Sequence, residues 1–149
     1  VEFDEVADRA VRAVVEVTTH SGAVDAARVG SFGRVRAEDA TALAMIVSEL
    51  VQNAVEHGVG STGGTVRVDA RRKPSRDGDD VLTVTVSDDG AGLPGGKLPT
   101  GRTLAGSGLG TQIVQSLVQD LRGKISWSSP QPGGTVVKFT ARLRRLPST

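Results

Sequence analysis

Val47-Ser48-Glu49-Leu50-Val51-Gln52-Asn53-Ala54-Val55-Glu56-His57 closes the most strongly periodic segment of this chain, residues 37–57. Leu43, Ile46, Val47, Leu50, Val51 and Ala54 recur at three- and four-residue steps. That spacing predicts a helix with one apolar stripe, stopped by Gly58. Beside the stripe stand Glu49, Asn53 and His57, at i, i+4 and i+8. At 100° per residue they drift only about 80° around the axis, so the three share a face that borders the stripe. A carboxylate, an amide oxygen and an imidazole placed in this way can look into a cleft at the edge of a core. The first two are hard oxygen donors of the kind that Mg²⁺ takes together with substrate phosphates. The same row also reads as a solvated face whose histidine sits at a helix C-terminus, where the dipole favours positive charge.

Upstream, Phe3, Val6, Ala7, Ala10, Val11, Val14 and Val17 repeat with helical spacing over residues 2–19. Residues 25–32 read as a short strand ending at the Gly30–Gly33 punctuation. Downstream, residues 65–70 and 81–87 alternate, and a polar loop over 74–80 joins them into a hairpin. A second helix-spaced row, Ile113, Val114, Leu117, Val118 and Leu121, predicts a helix over 111–121. Two last strands, 124–129 and 135–143, flank Pro130-Gln131-Pro132-Gly133-Gly134. Helices mixed with antiparallel hairpins point to an α+β fold, a two-layer sandwich of three helices on one mostly antiparallel sheet. There is no internal repeat and no visible domain boundary.

Composition bounds the function classes. At 149 residues the chain fits one domain, and 38% apolar residues suffice for one core. Aromatics are 3%, too few for the stacking platforms of single-strand nucleic-acid binders. A net charge of +1 supplies no field for DNA or an anionic membrane. No cysteine is present, which excludes disulfides, thiolate catalysis and cysteine zinc sites and fits a cytoplasmic protein. The longest apolar run, Ala42–Val47, is far short of a membrane span. The chain opens on Val1 and not on Met, and so reads as part of a longer protein.

Two further segments carry possible chemistry. Ser87-Asp88-Asp89-Gly90-Ala91-Gly92 ends a strand in a carboxylate, with small residues that let another molecule approach the backbone. Such a carboxylate can accept a hydrogen bond from an amino group, adenine's included, or can simply open an Asp-Gly turn. Gly106-Ser107-Gly108-Leu109-Gly110 leads into the 111–121 helix, where freed N–H groups and the helix dipole favour an anion. It follows neither the Walker pattern nor the dinucleotide fingerprint, and by itself it also reads as a flexible linker. With two histidines, His20 and His57, a multi-histidine metal site is excluded. Arg71-Arg72-Lys73 and Arg142-Arg144-Arg145 read as solvated strand ends.

Taken in order, the segments resemble the GHKL ATPases, the superfamily of gyrase-type, Hsp90-type, MutL-type and histidine-kinase ATP sites. Residues 47–57 resemble its N box, Asp88-Asp89-Gly90-Ala91-Gly92 its G1 box, Gly106–Gly110 its G2 box, and Gly133-Gly134-Thr135 its last Gly-Gly-Thr element. The element order is similar to the family's Bergerat fold. The G2 sequence and a short lid, about 93–107, resemble histidine kinases, and the N-terminal flow is similar to soluble sensor kinases of the HisKA_2 group, PdtaS-type kinases in particular.

The resemblance implies ATP and Mg²⁺ as ligands and assigns roles. Asn53 would coordinate Mg²⁺, and Glu49 would stand near the γ-phosphate or reach the metal through water. His57 would contact phosphates. Asp88 would accept from the adenine amino group with Thr135 nearby. Gly90 and Gly92 would keep the base pocket open, and Gly106, Gly108, Leu109 and Gly110 would wrap the phosphates. The implied activity is transfer of the γ-phosphate to a histidine on an upstream dimerisation domain, for relay to a response regulator. The implied protein is cytoplasmic, without nucleic-acid or direct membrane contact; the domain alone would be a monomer and the whole kinase a homodimer. This sequence departs from the family in three places. Asp89 stands where many histidine kinases have Asn, and is expected to point away. No Phe stands in the lid, and no acceptor-type histidine segment is present. Competing readings are an RsbW-type anti-sigma-factor serine kinase, a non-enzymatic nucleotide-gated module, and a gyrase- or MutL-like ATPase.

Overall fold

The computed structural model describes residues 1–18, 24–55, 64–89, 108–128 and 134–144. Its elements are α1 (Phe3–Thr18), β1 (Val24–Gly30), α2 (Ala37–Asn53), β2 (Gly64–Pro74), β3 (Asp79–Asp88), α3 (Gly108–Asp120), β4 (Ile125–Ser128) and β5 (Thr135–Arg144). The strands form one sheet in the order β1-β2-β3-β5-β4. β1 runs parallel to β2, and the other pairs are antiparallel. Three helices cover one face of this mixed sheet, so the expected α+β two-layer sandwich is the fold. The expected hairpin is present and longer than the alternation alone implies, because β2 and β3 stay paired to Pro74 and Asp80. Its turn shrinks to 75–78, held by the Ser75 N–H on the Asp79 carbonyl at 2.8 Å. Among the described residues no helix is long and apolar enough to cross a membrane.

Alternation along the strands decides what faces the helices. Val66, Val68 and Ala70 of β2, Leu82, Val84 and Val86 of β3, and Val137, Phe139, Ala141 and Leu143 of β5 are buried. Against them pack Leu43, Ile46, Val47, Leu50 and Val51 of α2, Val114 and Val118 of α3, and Phe3, Ala7 and Val11 of α1. All six residues of the predicted α2 stripe are buried.

α1 is fastened through its first turn. The Asp4 carboxylate accepts from the Phe32 N–H at 2.7 Å and from the Ser31 hydroxyl at 2.7 Å. The Phe3 and Phe32 rings meet at 4.9 Å and 58° in the core beneath. This tilted contact suits the quadrupoles of the two rings.

One expectation is overturned here. Arg72 is not a solvated strand end. It continues the inward row Val66, Val68, Ala70, and its side chain is only 15% exposed. Its Nε donates to Asp80 at 2.8 Å, and its Nη1 donates to the Phe32 and Arg34 carbonyls at 2.8 and 2.7 Å. The strand's twofold period places residue 72 on the helix side, and a charge there needs these partners to offset its desolvation. The neighbouring Arg71 and Lys73 point outward and are exposed, as expected.

Candidate functional site

The inward row of β3 runs Asp80, Leu82, Val84, Val86 and then Asp88. That of β5 runs Leu143, Ala141, Phe139, Val137 and then Thr135. Both apolar rows therefore end in a half-buried polar residue. The two face each other, because Asp88 and Thr135 are register partners. Opposed residues of an antiparallel pair share a face at about 4.5–5.5 Å between Cβ atoms. Strand register alone sets Thr135 opposite Asp88. Gly134 makes the junction possible. It is buried, has φ +84°, and a Cβ there would stand 2.3 Å from the Asp88 carbonyl oxygen. Asp89 turns to the other side, where its Oδ1 accepts from the Thr65 N–H at 2.9 Å. Its carboxylate closes the end of the β2–β3 ladder and leaves the position beside Thr135 to Asp88.

Helix α2 brings its row to the same end of the sheet. Its start, Arg36 and Asp39, shares a cavity with Asp79, Arg142 and Arg144, at the far ends of β3 and β5. Seventeen helical residues reach about 25 Å and ten strand residues about 30 Å, so the last turn of α2 overlies the Asp88–Thr135 end. Glu49 and Asn53 lie there, both half-buried at the margin of the core. At the end of the helix the Ala54 N–H is shared between the Leu50 and Val51 carbonyls.

α3 runs antiparallel to α2. Its last residue, Asp120, and the following Leu121 line the cavity with Arg36 and Asp39, while its first turn meets Glu49. An added Cβ on Gly110 would lie 1.8 Å from Glu49 Oε1 and 2.6 Å from its Cδ. The Glu49 carboxylate is thus seated against the start of α3, where the first N–H groups have no intrahelical partner and the dipole is positive. The helix begins at Gly108, three residues before the predicted start at 111, so Gly108, Leu109 and Gly110 form a first helical turn and not a preceding loop. His57, Gly90, Gly92, Gly106 and the 93–107 lid segment lie outside the described residues.

These residues bring a carboxylate opposite a hydroxyl, a carboxylate–amide row and a helix N-terminus to one end of one face. Among the described residues no cluster of three or more His, Asp or Glu side chains could hold a metal by itself. Mg²⁺ keeps waters and takes one or two protein oxygens alongside phosphates. The oxygen donors of Glu49 and Asn53, one turn apart, fit that ion. Sequence reasoning did not assign Asp89 a ladder contact or Arg72 a buried pair; the parity of position 72 in the β2 alternation was the available signal for the second.

The chain is similar to known proteins over nearly its whole length. It is 38% identical over 149 residues, 97% of the chain, to the sensor histidine kinase PdtaS of Mycolicibacterium smegmatis. The chain spans 28% of that relative's length. The structure resembles the histidine kinase domain of a blue-light activated histidine kinase from Erythrobacter litoralis, with a TM-score of 0.76 and 26% identity, covering 96% of this chain and 62% of that one. The fold alone also matches the mycobacterial sensor histidine kinase MprB, with a TM-score of 0.69 and 22% identity, covering 98% of this chain and 97% of that one. Residues 38–145, which include Glu49, Asn53, Asp88, the α3 start and Thr135, match the family of histidine kinase-, DNA gyrase B- and HSP90-like ATPases, and the chain belongs to that family.

Proposed function

We propose that this chain is the ATP-binding catalytic domain of a sensor histidine kinase, which passes the γ-phosphoryl group of ATP to a histidine on an acceptor domain. A response regulator then receives the group. One observation carries this reading: Asp88 opposite Thr135, and Glu49 against the glycine-opened start of α3, stand at the same end of the sheet. The relatives that match nearly the whole chain, named as sensor histidine kinases, support it.

Phosphoryl transfer asks mainly for positioning and charge neutralisation. Asp88 accepts from the exocyclic amine of adenine, and Thr135, on the same face, bonds to the ring edge. Gly90 and Gly92 leave room for the base. The N–H groups of Gly108, Leu109 and Gly110, together with Gly106, face the phosphates, and His57 adds a donor. Mg²⁺, when bound, neutralises phosphate charge; Asn53 supplies its amide oxygen, and Glu49 is the second oxygen donor of the row. The γ-phosphorus bonds to an imidazole nitrogen as its bond to the bridging oxygen breaks, and ADP leaves. Residues 1–149 act as one catalytic domain with 93–107 as its lid. The acceptor histidine comes from a separate dimerisation domain, since His57 belongs to the phosphate row and His20 lies outside it. In this reading the domain is cytoplasmic, monomeric when alone, and dimeric through the acceptor domain.

The test uses the full-length protein containing this chain, with γ-labelled ATP and Mg²⁺. Label that is lost in acid and kept in base is phosphohistidine, the expected result. Acid-stable label, on this protein or a co-purified partner, replaces the reading with a serine kinase. Bound ATP without transfer replaces it with a nucleotide-gated module.

A further inference from the structure

We infer that Gly110 is the positioning residue for Glu49: the space left by its missing side chain is where the Glu49 carboxylate is seated. The stability half of this inference stands on geometry alone, and the catalytic half rests on the reading of Glu49 as the carboxylate at the phosphate end.

Glycine is usually required where φ is positive, or where a Cβ would strike backbone. Gly30 and Gly134 are of that kind, with φ +79° and +84° and a carbonyl oxygen 2.0 and 2.3 Å from an added Cβ. Gly110 differs in both respects. It lies in helical backbone and is not among the positive-φ residues, so any L-residue can adopt its conformation. Its three nearest neighbours are all atoms of one side chain: Glu49 Oε1 at 1.8 Å, Cδ at 2.6 Å and Cγ at 3.4 Å. Gly110 is one helical turn before Val114 and two before Val118, both buried, so it faces α2. A residue with a side chain at 110 would leave both helices in place and expel the carboxylate. Glycine is also a poorer helix former than alanine, so helix formation does not explain it here. What the position preserves is the aim of Glu49. α2 supplies the carboxylate and α3 holds it beside its own positive end.

A double-mutant cycle of Gly110→Ala, Glu49→Ala and both separates this from its alternatives. The first readout is thermal melting without nucleotide. In the Glu49→Ala background, Gly110→Ala is expected to raise Tm by about 2–4 °C, the ordinary helix gain in a chain of this size. In the native background that gain is expected to be absent or reversed. Equal gains in both backgrounds overturn the inference and leave the ATP-binding reading untouched. The second readout is phosphoryl turnover by the full-length protein. Gly110→Ala is expected to lower kcat as far as Glu49→Ala does, with KM for ATP changed less than about twofold, and the double variant to be no slower than Glu49→Ala. A Gly110→Ala loss of the same size in both backgrounds assigns Gly110 to the nucleotide directly and also overturns the inference. Loss of ATP binding in Gly110→Ala with Glu49→Ala binding normally does the same. If the native protein binds no ATP, the functional reading fails while the melting cycle still decides the packing claim.

Discussion

Gly134→Ala offers a quantitative check on how the strand ends form the corner proposed to bind the base, and Gly78→Ala is its internal control. Both glycines have positive φ, +84° and +95°. Alanine there meets the left-handed penalty, about 1–2 kcal/mol, partly offset by about 0.4–1 kcal/mol from a less flexible unfolded chain. At Gly78 nothing lies within 4 Å of an added Cβ, so the cost ends there, at about 1 kcal/mol or less. At Gly134 the added Cβ stands 2.3 Å from the Asp88 carbonyl oxygen and 3.6 Å from Asp89 Cα. Those are backbone atoms, and no rotamer change can relieve the overlap. Strands β3 and β5 must part, which adds about 1–3 kcal/mol of overpacking. The expected totals are about 2–4 kcal/mol for Gly134→Ala against about 1 kcal/mol for Gly78→Ala. Urea unfolding followed by the fluorescence of Trp127, the single tryptophan, half-buried on β4 beside β5, measures both. Because the parting strands carry Asp88 and Thr135, nucleotide affinity is expected to fall for Gly134→Ala and not for Gly78→Ala. Equal destabilisation by the two substitutions, or normal nucleotide binding by Gly134→Ala, refutes the corner as described.

Three more substitutions and one pH effect test other parts of the molecule. Asp88→Asn is expected to abolish ATP binding in calorimetry, because an amide can present its N–H₂ where the base needs an acceptor, while the melting curve stays close to native. Asn53→Ala is expected to remove the Mg²⁺-dependent part of nucleotide binding, so that EDTA weakens the native protein and leaves the variant unchanged; additive effects would contradict that role. Arg72→Ala is expected to cost about 3–5 kcal/mol, since it removes the guanidinium that pairs with the buried Asp80 carboxylate and holds the Phe32 and Arg34 carbonyls; Asp80→Leu in the same chain should recover part of it, and a cost below about 1 kcal/mol would place the pair effectively in solvent. The Asp77 carboxyl is held below its usual range by the Asp79 backbone N–H first, and by the Arg142 and Ser75 side chains. A carboxyl lowered in the folded state stabilises above its unfolded value, and that contribution is lost as pH falls through the folded one. Asp77→Asn should therefore lower Tm at neutral pH and flatten the acid limb below about pH 4, so that the variant and native profiles converge at low pH; a Tm unchanged at neutral pH would contradict this.

The long helix shows how much periodicity can carry. All six residues of its apolar stripe are buried, and Glu49 and Asn53 border the core as their spacing demands. A helix of this length has one solution for burying such a stripe, so sequence alone decides which side faces inward. The strands over 65–70 and 81–87 were legible because each alternates with a period of two. Element ends were less legible. β2 and β3 extend past their alternating cores because each extra residue finds a ladder partner in the other strand, and α3 starts on glycines because its neighbour, and not its own propensity, accommodates them.

Local pattern in the sequence determined the elements, the inward face of each, and the ordered motifs that mark the ATPase family, because these depend on residues a few positions apart. The tertiary structure decided what meets across the layers. It opposed Asp88 to Thr135 through a register 47 residues apart, turned Asp89 to Thr65, buried Arg72 on Asp80, and seated Glu49 in the space that Gly110 leaves. Each of these contacts depends on how two separate elements are set against one another. That is a property of the packed core as a whole, and no short stretch of chain contains it.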